Sequence, residues 1–310
     1  MSPTANSSLT GSAPPRLLRK IELHGEGGIR LGAEEGGNPT APPVILLHGG
    51  GQTRHAWRST ARRMAASGYL AVTVDLRGHG ESDWAPDGNY TLESFALDLV
   101  AVAAALPERP ALVGASLGGL ATLLTEGELA SGTAAAVVLV DVGPRLEPAG
   151  VTRIVSFMTA RPDGFASLEE AADAIAEYLP NRPRPTDLGG LAKNLRIHPD
   201  GRYRWHWDPA FIAGERRPSA AVQTERLFDA ARAVAVPTLV VRGRESDTLS
   251  AEAAAELVAA LPHGHLADVA GARHMVAGDR NDVFANAVIT FLDREIGQRD
   301  NTTTREEATS

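Results

Sequence analysis

Leu112-Val113-Gly114-Ala115-Ser116-Leu117-Gly118-Gly119-Leu120 runs two apolar residues into Gly-x-Ser-x-Gly and then into an Ala/Leu-rich helical pattern. The order reads as a strand, a sharp turn and a helix. A serine on such a turn is lifted above the end of its strand, and glycines at 114 and 118 let the flanking backbone close up where a β-carbon would clash. Ser116 is therefore the candidate nucleophile.

The chain around this turn alternates regularly. Leu17 to His24 and Ile29 to Glu34 are two extended runs separated by Gly25-Glu26-Gly27-Gly28, which predicts an antiparallel pair at a sheet edge. Val44-Ile45-Leu46-Leu47 is continuously apolar, as suits a strand buried on both faces of a parallel sheet. Helical patterns over 60–67 and 92–106 and strand patterns over 70–74, 111–113 and 136–140 continue the series. The rhythm breaks near Gly143 and resumes with a helix over 220–234, strands over 238–241 and 265–269, and helices over 251–261 and 283–296. This order predicts an α/β fold with a mostly parallel eight-stranded sheet flanked by helices and right-handed crossovers. The core is expected over 17–143 and 219–297. Residues 144–218, with helical patterns over 151–159, 167–179 and 187–195 and a hairpin around Pro199-Asp200-Gly201, are expected as a mainly helical cap inserted after the sixth strand. The polar ends, 1–16 and 298–310, are expected to be disordered tails.

Composition narrows the function class. A chain of 310 residues with 43% hydrophobic content buries a large core, and with no cysteine it cannot use a thiol nucleophile or thiolate metal site. A formal charge of −8 gives no electrostatic footprint for nucleic acid or an anionic membrane. There is no apolar run of membrane-spanning length and no signal-peptide pattern at the N-terminus, so a cytoplasmic location is expected. Oligomeric state, monomer or homodimer, is not readable.

A serine hydroxyl needs a base to take its proton, and the base needs an orienting partner. With the serine at a strand-to-helix elbow, the acid and the histidine follow it in that chain order. His274, in the loop between the last strand and the last helix, is the expected base. Asp247, in Arg242-Gly-Arg-Glu-Ser-Asp247 after the seventh strand, is the leading acid, with Asp141 at the end of the sixth strand and Glu245 as rivals. His48 and His79 stand beside glycine turns and are expected to bond loop backbone. An oxyanion hole takes two preorganised N–H donors. Leu117 supplies one; the His48-Gly49-Gly50-Gly51 loop supplies the other, for which Gly50 is chosen ahead of Gly49 and Gly51.

The set His48-Gly-Gly-Gly-Gln52, Asp75-Leu-Arg-Gly-His-Gly-Glu-Ser82, Gly114-Ala-Ser-Leu-Gly118, Arg242 to Asp247 and Arg273-His274-Met275 resembles the α/β-hydrolase superfamily over roughly residues 17 to 297. The branch it resembles holds esterases, cofactor-free perhydrolases and epoxide hydrolases with a helical cap. Within it, Gly49-Gly-Gly-Gln-Thr-Arg-His-Ala-Trp57 is similar to bacterial monoalkyl phthalate ester hydrolases. The resemblance implies a serine carboxylesterase with no cofactor and no metal, acting on a small-molecule ester. Ser116 at the elbow, where epoxide hydrolases and dehalogenases carry aspartate, argues against those two reactions. A lactone or carbon–carbon bond hydrolase would use the same triad, and a hydrolase-fold ligand receptor would keep it with slow turnover. Between Pro144 and Ala220 eleven basic residues face ten acidic ones, while the rest of the chain carries −9. One of those arginines is thus expected to meet a substrate carboxylate, as in a monoalkyl phthalate.

Overall fold

The computed structural model of the protein describes residues 18–297, apart from 181, 214–219, 275 and 277–280. The expected tails 1–16 and 298–310 lie outside the described residues. The chain opens with β1 (Arg19–His24) and β2 (Arg30–Gly36), an antiparallel pair in which Ile21 faces Ala33 and Leu23 faces Leu31. It continues through β3 (Pro43–Leu47), α1 (Arg58–Ala66), β4 (Leu70–Val74), α2 (Leu92–Ala104), β5 (Ala111–Ala115), α3 (Leu117–Leu124) and β6 (Ala136–Val140). There the chain leaves the sheet for α4 (Pro148–Thr159), α5 (Leu168–Tyr178), α6 (Leu188–Ala192), the hairpin β7 (Leu195–Ile197) and β8 (Tyr203–Trp205), and α7 (Ala210–Ala213). It returns through α8 (Ala220–Ala233), β9 (Thr238–Gly243), α9 (Ala251–Ala260), β10 (Gly264–Val269) and α10 (Asn281–Glu295).

The main sheet has eight strands in the order β1-β2-β4-β3-β5-β6-β9-β10. β2 pairs antiparallel with β1 and β4, and every other pairing is parallel. Side-chain alternation divides the core between the two faces of the sheet. Ile45, Leu47, Val137 and Leu139 pack toward α2, α3, α8 and α9, whereas Val44, Leu46, Val138 and Val140 pack toward α1 and α10. This two-sided burial is why the strands read as continuous apolar runs rather than alternating ones.

Local signals set the helix starts. Thr91, Ser167 and Ser250 each accept a backbone N–H of the following first turn, and Pro148 opens α4, where its missing donor costs nothing. The 144–218 segment has a small core of its own, Phe165, Ala171, Ala172, Leu191 and Leu195. Among the described residues no helix is long and apolar enough to cross a membrane.

The strand order places the chemistry. β3 lies between β4 and β5, so successive connections leave it in opposite directions, and the loops after β3 and β5 face one another across the crevice where the order reverses. Leu47 pairs with Gly114, which brings the loop beginning at His48 beside the turn at Ser116.

Candidate active site

Ser116 is held at φ 47°, ψ −116°, and Asp141 also has φ 47°; they are the only non-glycine residues with positive φ among those described. A backbone this sparsely populated costs ~1–3 kcal/mol and survives only where the surroundings over-determine it. Here the surroundings are close-packed glycines. A β-carbon on Gly114 would lie 2.4 Å from the Gly118 carbonyl oxygen, and one on Gly118 would lie 2.7 Å from the Leu47 β-carbon. Both glycines are thus required by the approach of α3 to the sheet.

Ser116, His274, Gly50 and Leu117 line one cavity of about 940 Å³. His274 Nδ1 lies 2.9 Å from Asp141 Oδ2 and 2.6 Å from Thr248 Oγ1. Asp141 is fully buried, and its carboxylate is surrounded by donors. Oδ1 accepts the Gly243 N–H at 3.1 Å, and Oδ2 accepts the Ser246 and Thr248 hydroxyls at 2.5 and 2.9 Å. Ser246 Oγ itself accepts the backbone N–H groups of Thr248 and Leu249, both at 3.2 Å, so its own proton is free to point at Asp141. A carboxylate only accepts, so the arrangement puts the His274 proton on Nδ1 and leaves Nε2 with a lone pair.

Asp247, the leading acid on sequence grounds, is elsewhere. Its side chain is 42% exposed and pairs with Arg153 at 2.5 Å. The expectation is corrected by side-chain direction. In Ser246-Asp247-Thr248 the two hydroxyl residues turn inward to Asp141 and the residue between them turns out. The rival Asp141 is the carboxylate on His274. Glu245 lies 3.7 Å from Arg273. The available signal was the pair of hydroxyl residues flanking Asp247, since a stretch that buries its alternate residues exposes the one between.

The glycine loop separates its three amides. Gly49 N–H donates to Gln52 Oε1 at 3.2 Å and Gly51 N–H to His79 Nε2 at 3.1 Å, while Gly50 N–H has no acceptor among the described residues. The Gly49 carbonyl accepts from His48 Nδ1 at 2.8 Å and from Gln52 N–H at 3.1 Å. Because the 49–50 peptide is planar and trans, holding that carbonyl on one side aims the Gly50 N–H the opposite way. Leu117 N–H, at the first position of α3, has no intrahelical acceptor either. The 144–218 segment roofs the loop: a β-carbon on Gly50 would lie 3.3 Å from the Phe211 ring, and one on Gly51 would lie 2.9 Å from Met158 Cε.

His48, His79 and His206 form a buried row with ring centroids 5.3 and 5.8 Å apart. The expectation that His48 and His79 bond loop backbone holds: His48 Nε2 accepts the Leu76 N–H at 3.0 Å and His79 Nδ1 donates to the Arg77 carbonyl at 3.0 Å. Burial lowers His48 from the ordinary 6.5 to about 4 and His79 to about 3, and pushes His206 well down. The unfolded chain therefore takes up protons that the folded state refuses, so the stability these groups allow is complete above pH 6.5 and is lost as pH falls toward 4. Three such groups give a slope of about 4 kcal/mol per pH unit near pH 5, at ~1.4 kcal/mol per proton. Denaturant midpoints measured from pH 7 to 4.5 should fall accordingly, and His206→Asn should flatten the slope by about one third; a pH-independent midpoint over that range would be inconsistent with three buried neutral histidines.

The charged lining of the cavity comes mainly from the core. Glu93 is paired with Arg226, and Arg58 lies 3.0 Å from Glu34. Burial, with Arg54 next, lowers His55. None of the described arginines of 144–218 lines the cavity. Arg153, Arg161, Arg184 and Arg204 pair with Asp247, Glu170, Asp173 and Asp200. The cation that this segment does contribute to the lining is Lys193, which has no ion-pair partner among the described residues.

The alpha/beta hydrolase family matches residues 44–287 of the chain. An esterase of Mycobacterium tuberculosis is 31% identical over 263 residues, covering 82% of this chain and 84% of that protein. A 3-hydroxybutyrate-oligomer hydrolase of Cupriavidus necator is 30% identical over 276 residues, covering 85% and 93%. The crystal structure of an E-2-(acetamidomethylene)succinate hydrolase superimposes with a TM-score of 0.77 at 24% identity, covering 89% of this chain and 99% of that one, which is a likeness of fold.

Proposed function

The chain belongs to the alpha/beta hydrolase family, and on that premise we propose that it is a serine esterase that cleaves a small carboxylic ester through an acyl-enzyme, with Ser116, His274 and Asp141 as its triad. The observation that carries this reading is one cavity lined by Ser116 on a strained turn, by His274 with Nδ1 on a buried carboxylate, and by Gly50, whose N–H has no acceptor among the described residues. In the first step His274 Nε2 takes the Ser116 hydroxyl proton as Oγ bonds to the ester carbonyl carbon. The charge on the carbonyl oxygen is met by the Gly50 and Leu117 N–H groups. The tetrahedral species collapses, the carbon–oxygen bond to the alcohol breaks, and the alcohol leaves with the proton from His274. A water molecule then gives its proton to His274 and its oxygen to the acyl carbon, releasing the acid and restoring Ser116. Asp141 accepts the Nδ1 proton throughout and stabilises the imidazolium that forms in each half. In the same reading residues 144–218 are a cap over a core of 17–143 and 219–297, and the protein works in the cytoplasm without a cofactor.

The substrate class follows from the walls. Phe157 and Tyr178 stack at 4.1 Å and Trp205 and Trp207 at 5.1 Å, and all four line the cavity, so an aromatic ring suits it. Lys193 is the unbalanced charge among the described lining residues, which favours a ligand bearing a carboxylate. A monoalkyl ester of an aromatic diacid, the phthalate type, meets both conditions. The relatives' names support hydrolysis, and the oligomer of 3-hydroxybutyrate named for the Cupriavidus necator relative carries a free acid group.

The test compares kcat/KM for a monoalkyl phthalate, the matching dialkyl phthalate and the matching alkyl benzoate. The monoester should be favoured at least tenfold, and Lys193→Met should remove about tenfold of that preference, ~1.4 kcal/mol, while leaving the neutral esters unchanged. Equal loss on all three esters, or none on the monoester, would remove Lys193 from substrate recognition.

A further inference from the structure

The turn at residues 78–80 stands between the cap and the glycine loop and is bonded to both. From the cap, His206 Nδ1 accepts the Gly80 N–H at 2.7 Å, Arg196 Nη2 donates to the Gly80 carbonyl at 2.6 Å, and Asp208 N–H donates to the Gly78 carbonyl at 2.9 Å. Arg196 is fixed in turn by lying over the Trp84 ring, 5.0 Å from its centroid. Between these contacts sits His79, wholly buried, with the Phe211 ring edge-on at 4.7 Å.

His79 passes this anchoring on to the glycine loop. Its Nδ1 faces the Arg77 carbonyl and therefore carries the proton, so Nε2 presents a lone pair to the Gly51 N–H at 3.1 Å. Holding that N–H fixes the plane of the 50–51 peptide, just as His48 fixes the plane of the 49–50 peptide through the Gly49 carbonyl. Gly50 has no β-carbon to limit its dihedrals, so its orientation depends on both neighbouring planes being held. Residues 49–52 form a turn closed by the Gln52 N–H on the Gly49 carbonyl, so a 50–51 peptide released from His79 disturbs that closure, and with it one of the two bonds that hold the 49–50 peptide and aim the Gly50 N–H. A buried imidazole is suited to this because burial keeps it neutral, with one donor and one acceptor on opposite sides of the ring.

We propose that His79 is a positioning residue for the oxyanion hole, and that the cap, through Arg196 and His206, holds His79 in place, so that the seating of the cap and the shape of the hole are coupled. The inference rests on the reading of Ser116 as nucleophile and Gly50 as an oxyanion donor. It gives the cap a part in the chemical step in addition to enclosing the substrate.

The test uses the full chain and a pair of substrates, an ester and its thiono analogue, in which sulfur replaces the carbonyl oxygen. Sulfur is a weak acceptor, so the thiono ester gains little from the hole. With rates normalised to titrated active sites, His79→Leu should lower kcat on the ester about 100-fold, the usual scale for losing one oxyanion donor, with KM changed less than about threefold. On the thiono ester its kcat should change less than about fivefold, by the same argument. His79→Gln, whose Oε1 replaces Nε2 as acceptor, should recover to within about tenfold of wild type on the ester. Arg196→Met, a milder change on the hairpin, should show the same selective loss at about fivefold to tenfold, and it carries the test where the buried leucine prevents folding. Equal losses on the two substrates, or wild-type rates on the ester in both His79→Leu and Arg196→Met, would overturn the proposal. Hydrolysis that survives Ser116→Ala would instead overturn the reading on which it rests.

Discussion

Replacing Ser116 with alanine should lower kcat on any ester the protein hydrolyses by about 10⁴ to 10⁶, while the circular dichroism spectrum is retained and stability does not fall. The size follows from removing the group that bonds to the acyl carbon. Neither the base nor the oxyanion donors can act as a unit without it, so the residual rate is only what binding and the hole provide. The stability expectation has a separate cause. Ser116 is held at φ 47°, ψ −116°, a backbone geometry imposed by its setting, and alanine experiences the same strain. Glycine adopts positive φ without that penalty, so Ser116→Gly should be inactive and about 1 kcal/mol more stable in denaturant titration. A Ser116→Ala protein with a tenth of wild-type activity would end the assignment.

The second large effect separates two aspartates. Asp141→Asn should cost about 10⁴ in kcat, ~5.5 kcal/mol of transition-state stabilisation, by analogy with the same change in serine protease triads. Asp247→Asn should stay within about threefold, because an exposed ion pair is worth little and Asp247 pairs with Arg153 on the surface. Asn at 141 can present only one acceptor oxygen. Asp141 now accepts from Gly243, Ser246, Thr248 and His274, so the amide NH₂ must face a donor whichever way it is turned. The imidazole then loses the partner that fixes its tautomer. Steady-state kinetics on the two variants decides the matter, and a reversed pattern would return the acid to the loop after β9.

The sheet was legible because its strands are buried on both faces. Val44 to Leu47 and Ala136 to Val140 leave no polar position to confuse the period, and the glycines of 114–119 are each demanded by a contact that admits no β-carbon. The places of Ser116 and His274 on one cavity were legible for a related reason: a strand-to-helix turn and the loop before the last helix are fixed by backbone connectivity. Which carboxylate faces His274 was not. Asp141 and Asp247 both follow a strand, and connectivity brings either loop near His274. What separates them is the direction of a side chain, decided by Ser246 and Thr248 turning inward and by the positive φ at Asp141. Which cation of 144–218 reaches the cavity was hidden in the same way. A count of charges there does not reveal that Arg161, Arg184 and Arg204 are spent on neighbouring carboxylates and Arg196 on a backbone carbonyl and an aromatic face, while Lys193 lines the cavity. Charge balance is a property of a stretch of sequence, whereas pairing depends on which side chains the fold brings within reach.

The most direct test of an acyl-enzyme on Ser116 is chemical. An alkyl fluorophosphonate mimics the ester carbonyl, and displacement of fluoride by the activated hydroxyl leaves a stable phosphonyl adduct. Intact-mass measurement followed by peptide mapping should find one adduct per chain, on the peptide containing Ser116, with none in Ser116→Ala and slow labelling in Asp141→Asn. Labelling at another residue, or an unlabelled protein that continues to hydrolyse esters, would contradict the account.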